Sequence, residues 1–140
     1  MKRKIKMYLS GPILGCDKYT YKAWRDKTKK ELANNKYIFL DPTLGEIFDK
    51  EAEHADEVVT SAQQSVEEAD VIFVYIPFYS MGTSFEVFWA FQKNKKIIIA
   101  LEAEHESAFV RKFADYLFYS LEDAIDFLKT DILYRDLVNE

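Results

Sequence analysis

Val71-Ile72-Phe73-Val74-Tyr75-Ile76 is an unbroken apolar run ended by Pro77. A strand that is apolar on both faces is buried on both faces, as in a parallel sheet covered by helices. Working outward, residues 97–101 form a second such run, and residues 5–9, Tyr37–Leu40 and 116–119 read as shorter strands. Between the strands the apolar period lengthens to that of a helix. Tyr21, Trp24, Thr28 and Leu32 share one face of a helix over 19–35, with Asn34-Asn35 as its stop. Val58, Val59, Ala62, Val66 and Ala69 share a face over 55–69, and a further helix spans 83–94 with Thr83 or Ser84 near its N-cap. A short helix lies within 102–114. Ser120 caps a last one, which carries Leu121, Ala124, Ile125 and Leu128 and runs on through Ile132 to Leu137. Residues 43–53 read as a loop with one helical turn around Ile47-Phe48. Strands alternate with helices throughout, which predicts an α/β fold: a doubly wound, five-stranded parallel sheet with helices on both faces.

The 140 residues suit one domain, 1–140, with no repeat or linker. Hydrophobic residues make up 49% of the chain, enough to build a core and to exclude the disordered class. The net charge of −5 leaves no basic footprint for a nucleic-acid polymer beyond Lys2-Arg3-Lys4, which reads as a solvated lead-in to the first strand. A small nucleoside or nucleotide remains allowed, because helix N-termini bind anions without net positive charge. Cys16 is the single cysteine, so no internal disulfide forms, which fits a reducing cytoplasm. Neither His54 nor His105 is placed to activate it, and both histidines read as surface residues in acidic turns rather than metal ligands. The apolar runs are too short for a leader's apolar core or a bilayer span, so no membrane partner is expected.

Ligands of such sheets bind outside the carboxyl ends of the strands, where the strand order reverses. That rule selects residues 10–16, 41–47 and 77–86. In the first, Ser10 offers a hydroxyl and an amide, and Gly11, before Pro12, lets backbone approach a ligand closely; the same residues serve equally as a strand-ending turn. Neither a G-x-G-x-x-G fingerprint nor a P-loop is present. In the third segment Gly82, Thr83 and Ser84 stand where a helix begins, and free N–H groups there favour an anion or a sugar hydroxyl. Glu86 follows, in the expected first turn. A carboxylate there is most often a helix-capping acid; sheltered and charged, it can instead attack an anomeric carbon.

Several segments bear on that choice. Tyr8-Leu9-Ser10-Gly11-Pro12-Ile13 follows a basic start, Asp41-Pro42 follows strand two, and Glu68-Ala69-Asp70 precedes strand three. Gly82-Thr83-Ser84-Phe85-Glu86 then precedes Ala90 and Lys95-Lys96. In order and spacing, over residues 5–101, they resemble the nucleoside 2-deoxyribosyltransferase family. The resemblance implies a flavodoxin-like fold and base exchange between 2-deoxyribonucleosides through a covalent deoxyribosyl-glutamate. Relatives in that family hydrolyse deoxynucleoside 5′-monophosphates or CMP. By position, Glu86 matches the nucleophile and Tyr8 the tyrosine whose hydroxyl orients it. Ser10, Gly11, Pro12, Asp41, Ser80, Gly82, Thr83 and Ser84 fall at substrate-binding positions, and Asp70 at a structural one. No metal or organic cofactor is implied. A cytoplasmic homo-oligomer is, with the aromatic helix around Phe88 and Phe91 or the 134–137 tail contributing to a neighbour.

Two departures from the family pattern stand out. The aspartate eight residues before Asp70, which protonates the leaving base, is Ala62 here; alanine forgoes a contribution of typically ~10²–10⁴ in rate. Asp56 or Glu57 substitutes only if that helix is shifted. The loop before Gly82 also lacks the family's acid, leaving Ser80 to meet the sugar or a 5′-phosphate. The chain is thus either an enzyme whose base leaves with rearranged or weak protonation, or a homologue that binds a nucleotide and does little chemistry. A flavodoxin-type electron carrier needs a Ser/Thr-rich phosphate cradle after strand one, which is missing.

Overall fold

The computed structural model describes residues 3–33, 36–44 and 51–138. Five strands, β1 (Ile5–Ser10), β2 (Tyr37–Leu40), β3 (Val71–Ile76), β4 (Lys96–Leu101) and β5 (Tyr116–Phe118), pair in parallel in the order β2-β1-β3-β4-β5. The α-helices among the described residues are α1 (Lys18–Glu31), α2 (Ala55–Glu68), α3 (Met81–Gln92), α4 (Ala108–Phe113), α5 (Leu121–Lys129) and α6 (Ile132–Val138). On one face of the sheet Trp24, Leu32, Ile125 and Leu133 close over Ile5, Met7, Leu9 and Phe73. On the other, Val66, Val87 and Val110 close over Tyr8, Ile72, Val74 and Ile97. The chain forms the expected flavodoxin-like, doubly wound α/β sheet. No helix among the described residues is long and apolar enough to cross a membrane.

The period of two along β1 aims the site. Ile5, Met7 and Leu9 go to the α1 face, so Tyr8 and Ser10 turn to the α3 face. The order reverses between β1 and β3, which opens a crevice at their carboxyl ends. Asp70 locks that junction from the other end, its carboxylate accepting from the Lys6 amide at 2.8 Å and Arg3 at 2.9 Å.

Four boundaries differ from the sequence expectation. α1 ends at Glu31, because the buried Leu32 takes the C-cap (φ −104°, ψ 17°) and its amide turns back to Lys30 and Thr28; the expected stop at Asn34-Asn35 lies outside the described residues. α3 begins at Met81, two residues before Thr83, since Ser80 is the extended N-cap (φ −136°, ψ 152°) and Gly82 is already helical. The last helix is two helices. Thr130 (ψ 171°) breaks it, and its Oγ1 accepts from the Ile132 amide at 3.3 Å to start α6. In the 43–53 loop, short 3-10 turns occupy Pro42–Leu44 and Glu51–His54, while the expected turn at Ile47-Phe48 lies outside the described residues. Along α2, Val66 and Ala69 are buried as expected, whereas Val59 is 47% exposed: the first half of α2 stands beyond the carboxyl edge of the sheet.

Candidate active site

Tyr8 and Ser10, two residues apart on one face of β1, both reach Glu86 on α3. The Tyr8 hydroxyl donates to Glu86 Oε2, and Ser10 Oγ donates to Glu86 Oε1 at 2.6 Å. Both donors are fully buried. Burial, reinforced by the Glu86 carboxylate, holds the Tyr8 hydroxyl well above the ordinary tyrosine value, so Tyr8 keeps its proton and stays a donor. Hydroxyl bonds to a carboxylate are short and strong, and each oxygen that accepts one retains lone-pair capacity. Glu86 is the sixth residue of α3 and so lies in its second turn, not the expected first. The helix field fades beyond the first turn; the two hydroxyls, rather than the dipole, hold the carboxylate.

Glu86 lines a cavity of about 490 Å³ at the carboxyl ends of β1 and β3. Gly11, Ile13 and Leu14 close one side, and the start of α3, from Ser80 to Thr83, another. Val58, Val59 and Ala62 of α2, with Trp89 of α3, form an apolar wall. Ala62 therefore does face the cavity. α2 begins where expected, unshifted, so Asp56 and Glu57 stay in its exposed first turn and outside the lining. Gly82 opens onto free space, with nothing within 4 Å of where a Cβ would sit.

Gly11 is pinned for a second reason. A Cβ there would stand 2.7 Å from Trp24 Cζ2 and 3.1 Å from the Tyr75 carbonyl oxygen, so only glycine lets β1 leave the sheet over the Trp24 ring. Trp24 itself is core, packed at 5.2 Å from the Tyr75 ring. Asp41 also closes its strand, but its carboxylate, buried at 2% exposure, faces Lys29 (2.6 Å), Arg25 (3.8 Å) and the Thr43 amide (2.8 Å) rather than the cavity. Burial would raise the Asp41 carboxyl; Lys29 and Thr43 outweigh it and hold it below the ordinary carboxylate range. Pro12 is buried behind the turn, and Ser84 bonds the Ser80 carbonyl at 2.9 Å and lines a different groove. The structure thus gathers Gly11, Ser80, Gly82, Thr83 and Glu86 around one space, joins the buried Tyr8 and Ser10 to it through Glu86, and leaves Asp41, Pro12 and Ser84 outside it. Burial pushes the Cys16 thiol up, away from the reactive thiolate.

Arg25 is a contributor that sequence reasoning passed over. It is 1% exposed; Nη2 donates to the carbonyls of Leu9 (3.3 Å) and Gly11 (3.2 Å), which flank Ser10, and Nη1 to Tyr21 (2.6 Å). It thereby fixes the turn that carries the Ser10 hydroxyl. The available signal was its place on the inner stripe of α1, four residues after Tyr21, together with an acid closing the next strand.

Ser80, Thr83 and Phe85 also border a second groove of about 390 Å³ between α3 and α4, walled by Tyr79, Phe88, Phe109 and Phe113. Phe88 and Phe91 are 42% and 41% exposed and pack against Phe113, so they form a surface aromatic face rather than core.

No protein-family model matches the chain, and no curated protein matches it in sequence. Solved structures do match. A 2-deoxyribosyltransferase from Bacillus psychrosaccharolyticus is 16% identical, with 92% of this chain and 94% of that one superposed at a TM-score of 0.71. The CMP N-glycosidase of Clostridium botulinum is also 16% identical, covering 89% of this chain and 99% of its own at a TM-score of 0.61. A 2-deoxyribosyltransferase from Leishmania mexicana is 15% identical, covering 89% and 96% at 0.62. In fold, the chain matches the nucleoside 2-deoxyribosyltransferases and the related CMP N-glycosidase.

Proposed function

We propose that the chain cleaves or transfers the N-glycosidic bond of 2-deoxyribonucleosides. The observation that carries this reading is the carboxylate of Glu86, held on both oxygens by buried hydroxyls at the wall of a nucleoside-sized cavity. Glu86 attacks C1′ and the base departs, leaving a deoxyribosyl ester. A second base (exchange) or water (hydrolysis) then attacks C1′ and releases Glu86. Tyr8 and Ser10 hold the nucleophile in place, while Gly11, Ser80, Gly82 and Thr83 border the substrate, with Pro12, Asp41 and Ser84 as outer supports. The fold it shares with a CMP N-glycosidase supports the hydrolytic, 5′-monophosphate form as the alternative activity. Within this reading the protein works in the cytoplasm, for which the unpaired Cys16 is suited, as a homo-oligomer joined through the exposed aromatic face.

The test is incubation with a deoxynucleoside and a different free base, followed by chromatography. New nucleoside, or free sugar, that disappears in Glu86→Ala is expected, and a 2-fluoro-2-deoxy nucleoside should add its sugar mass to the peptide holding Glu86. A second reading, a homologue that binds nucleotide without turning it over, draws on the apolar Ala62 wall. It predicts ligand binding with no product.

A further inference from the structure

The cavity beside Glu86 has an unusual balance of groups. Of the described side chains that line it, Glu86 alone is ionisable. The other described residues of the wall are apolar or alcoholic, and two rings, Phe85 and Trp89, lie 6.0 Å apart along it. A carboxylate in an apolar, aromatic-lined space favours a positive guest, since aromatic faces attract cations and the carboxylate does too.

Resting on the N-glycosidase reading above, we propose that the preferred substrates are N-glycosides whose base already carries positive charge, such as N7-alkylated purines or pyridinium bases. The base then leaves as a neutral molecule, and no proton need be delivered. Glu86 Oε forms its bond to C1′ as the C1′–N bond breaks; the bonding pair returns to the ring and cancels its charge. Water then adds to C1′, the ester C–O bond breaks, Glu86 regains its carboxylate and one proton passes to solvent.

The remaining hydroxyls do not supply the missing acid. Tyr8 is held protonated by burial and its one proton is committed to Glu86. Ser80 donates to Thr83 Oγ1 at 2.9 Å, and an alcohol is too weak an acid for the task near neutral pH. Trp89 offers at most an indole N–H, a donor that does not ionise.

The deciding measurement compares 7-methyl-2′-deoxyguanosine with 2′-deoxyguanosine at mildly acidic pH, where the methylated ring is cationic. The two share one sugar and one ring system. An enzyme that protonates its leaving group levels such a pair; one that does not keeps their difference, so kcat/KM should favour the methylated substrate by about 10²-fold or more. For the neutral substrate log kcat/KM should fall steadily with rising pH, because only substrate protonated by solvent reacts, and Ala62→Asp should narrow the gap by supplying an acid. Cleavage of both substrates at similar rates, lost in Glu86→Ala, would overturn the inference and leave the N-glycosidase reading intact, with the acid coming from elsewhere in the chain. Cleavage of neither would remove both.

Discussion

Glu86 accepts one hydroxyl on each oxygen, and the two donors differ in what they can be replaced by. Tyr8→Phe keeps the ring that packs among Val66, Val74 and Ile99 and removes only the bond to Oε2. A hydrogen bond to a charged group is worth ~1.5–3 kcal/mol, so kcat/KM on any cleaved nucleoside should fall by about 10- to 100-fold, and the melting temperature should drop by a few degrees. Ser10→Ala should cost a similar factor. The double variant should lose less than the product of the two, because both donors act on a single carboxylate. Losses that multiply in full would show that the hydroxyls act on separate steps. At this scale the sequence was legible where a residue type has one common use. Tyr8 donates to Glu86, the pair that the resemblance put together, whereas Ser10, expected to meet the substrate, donates to the same carboxylate. Arg25 did not announce itself, since an arginine on a helix usually reads as solvated; its burial rests on Asp41, sixteen residues on, and on three backbone carbonyls.

Elements disagree with their sequence reading mainly at their ends. Apolar period tells which face of α3 is buried but not where its first turn begins, and the Ser80-Met81-Gly82 start carries no side-chain cap bond to mark it. The α5–α6 break rests on one Thr130 hydroxyl, a feature that periodicity does not encode. The strands were legible because β3 and β4 are buried on both faces and their side chains had to be apolar. Two glycines separate element roles cleanly. Gly11→Ala would drive a methyl group into Trp24 and the Tyr75 carbonyl, and overpacking of this kind costs ~1–3 kcal/mol. Its melting temperature should drop by several degrees, and the displaced turn should take Ser10 out of register with Glu86. Gly82→Ala meets open space inside a helix, where alanine is favoured by ~0.5–1 kcal/mol, so its melting temperature should rise by a few degrees. Thermal melts of the pair check both signs; a Gly82→Ala variant that melts lower would contradict the helical placement of Gly82.

At the scale of the whole molecule, three tyrosines packed on the two faces of the sheet are shifted in one direction. Burial raises Tyr8, Tyr37 and Tyr75 alike, with Tyr37, whose hydroxyl donates to the Leu128 carbonyl at 2.8 Å, pushed up to about 12. An unfolded tyrosine loses its proton near pH 10 while the folded one keeps it, so the unfolded state binds fewer protons above that point and stability falls as pH rises. Each such tyrosine contributes a slope of about −1.4 kcal/mol per pH unit, which for Tyr37 spans from about pH 10 to about 12. Denaturant unfolding across that window should show Tyr37→Phe with a shallower decline than the parent, despite a lower starting stability. Equal slopes would mean that Tyr37 is not shielded.

The reversal of strand order between β1 and β3 has a kinetic corollary. Ser10 and Glu86 meet across 76 positions of chain, and Tyr8 and Glu86 across 78. No local segment contains the trio, and none of the intervening helix or strand can bring it together before the first strand has found the third. Loop closure over such spans is among the slow acts of folding. In a newly made chain the Glu86 carboxylate therefore acquires its two clamps only once β1 has paired with β3.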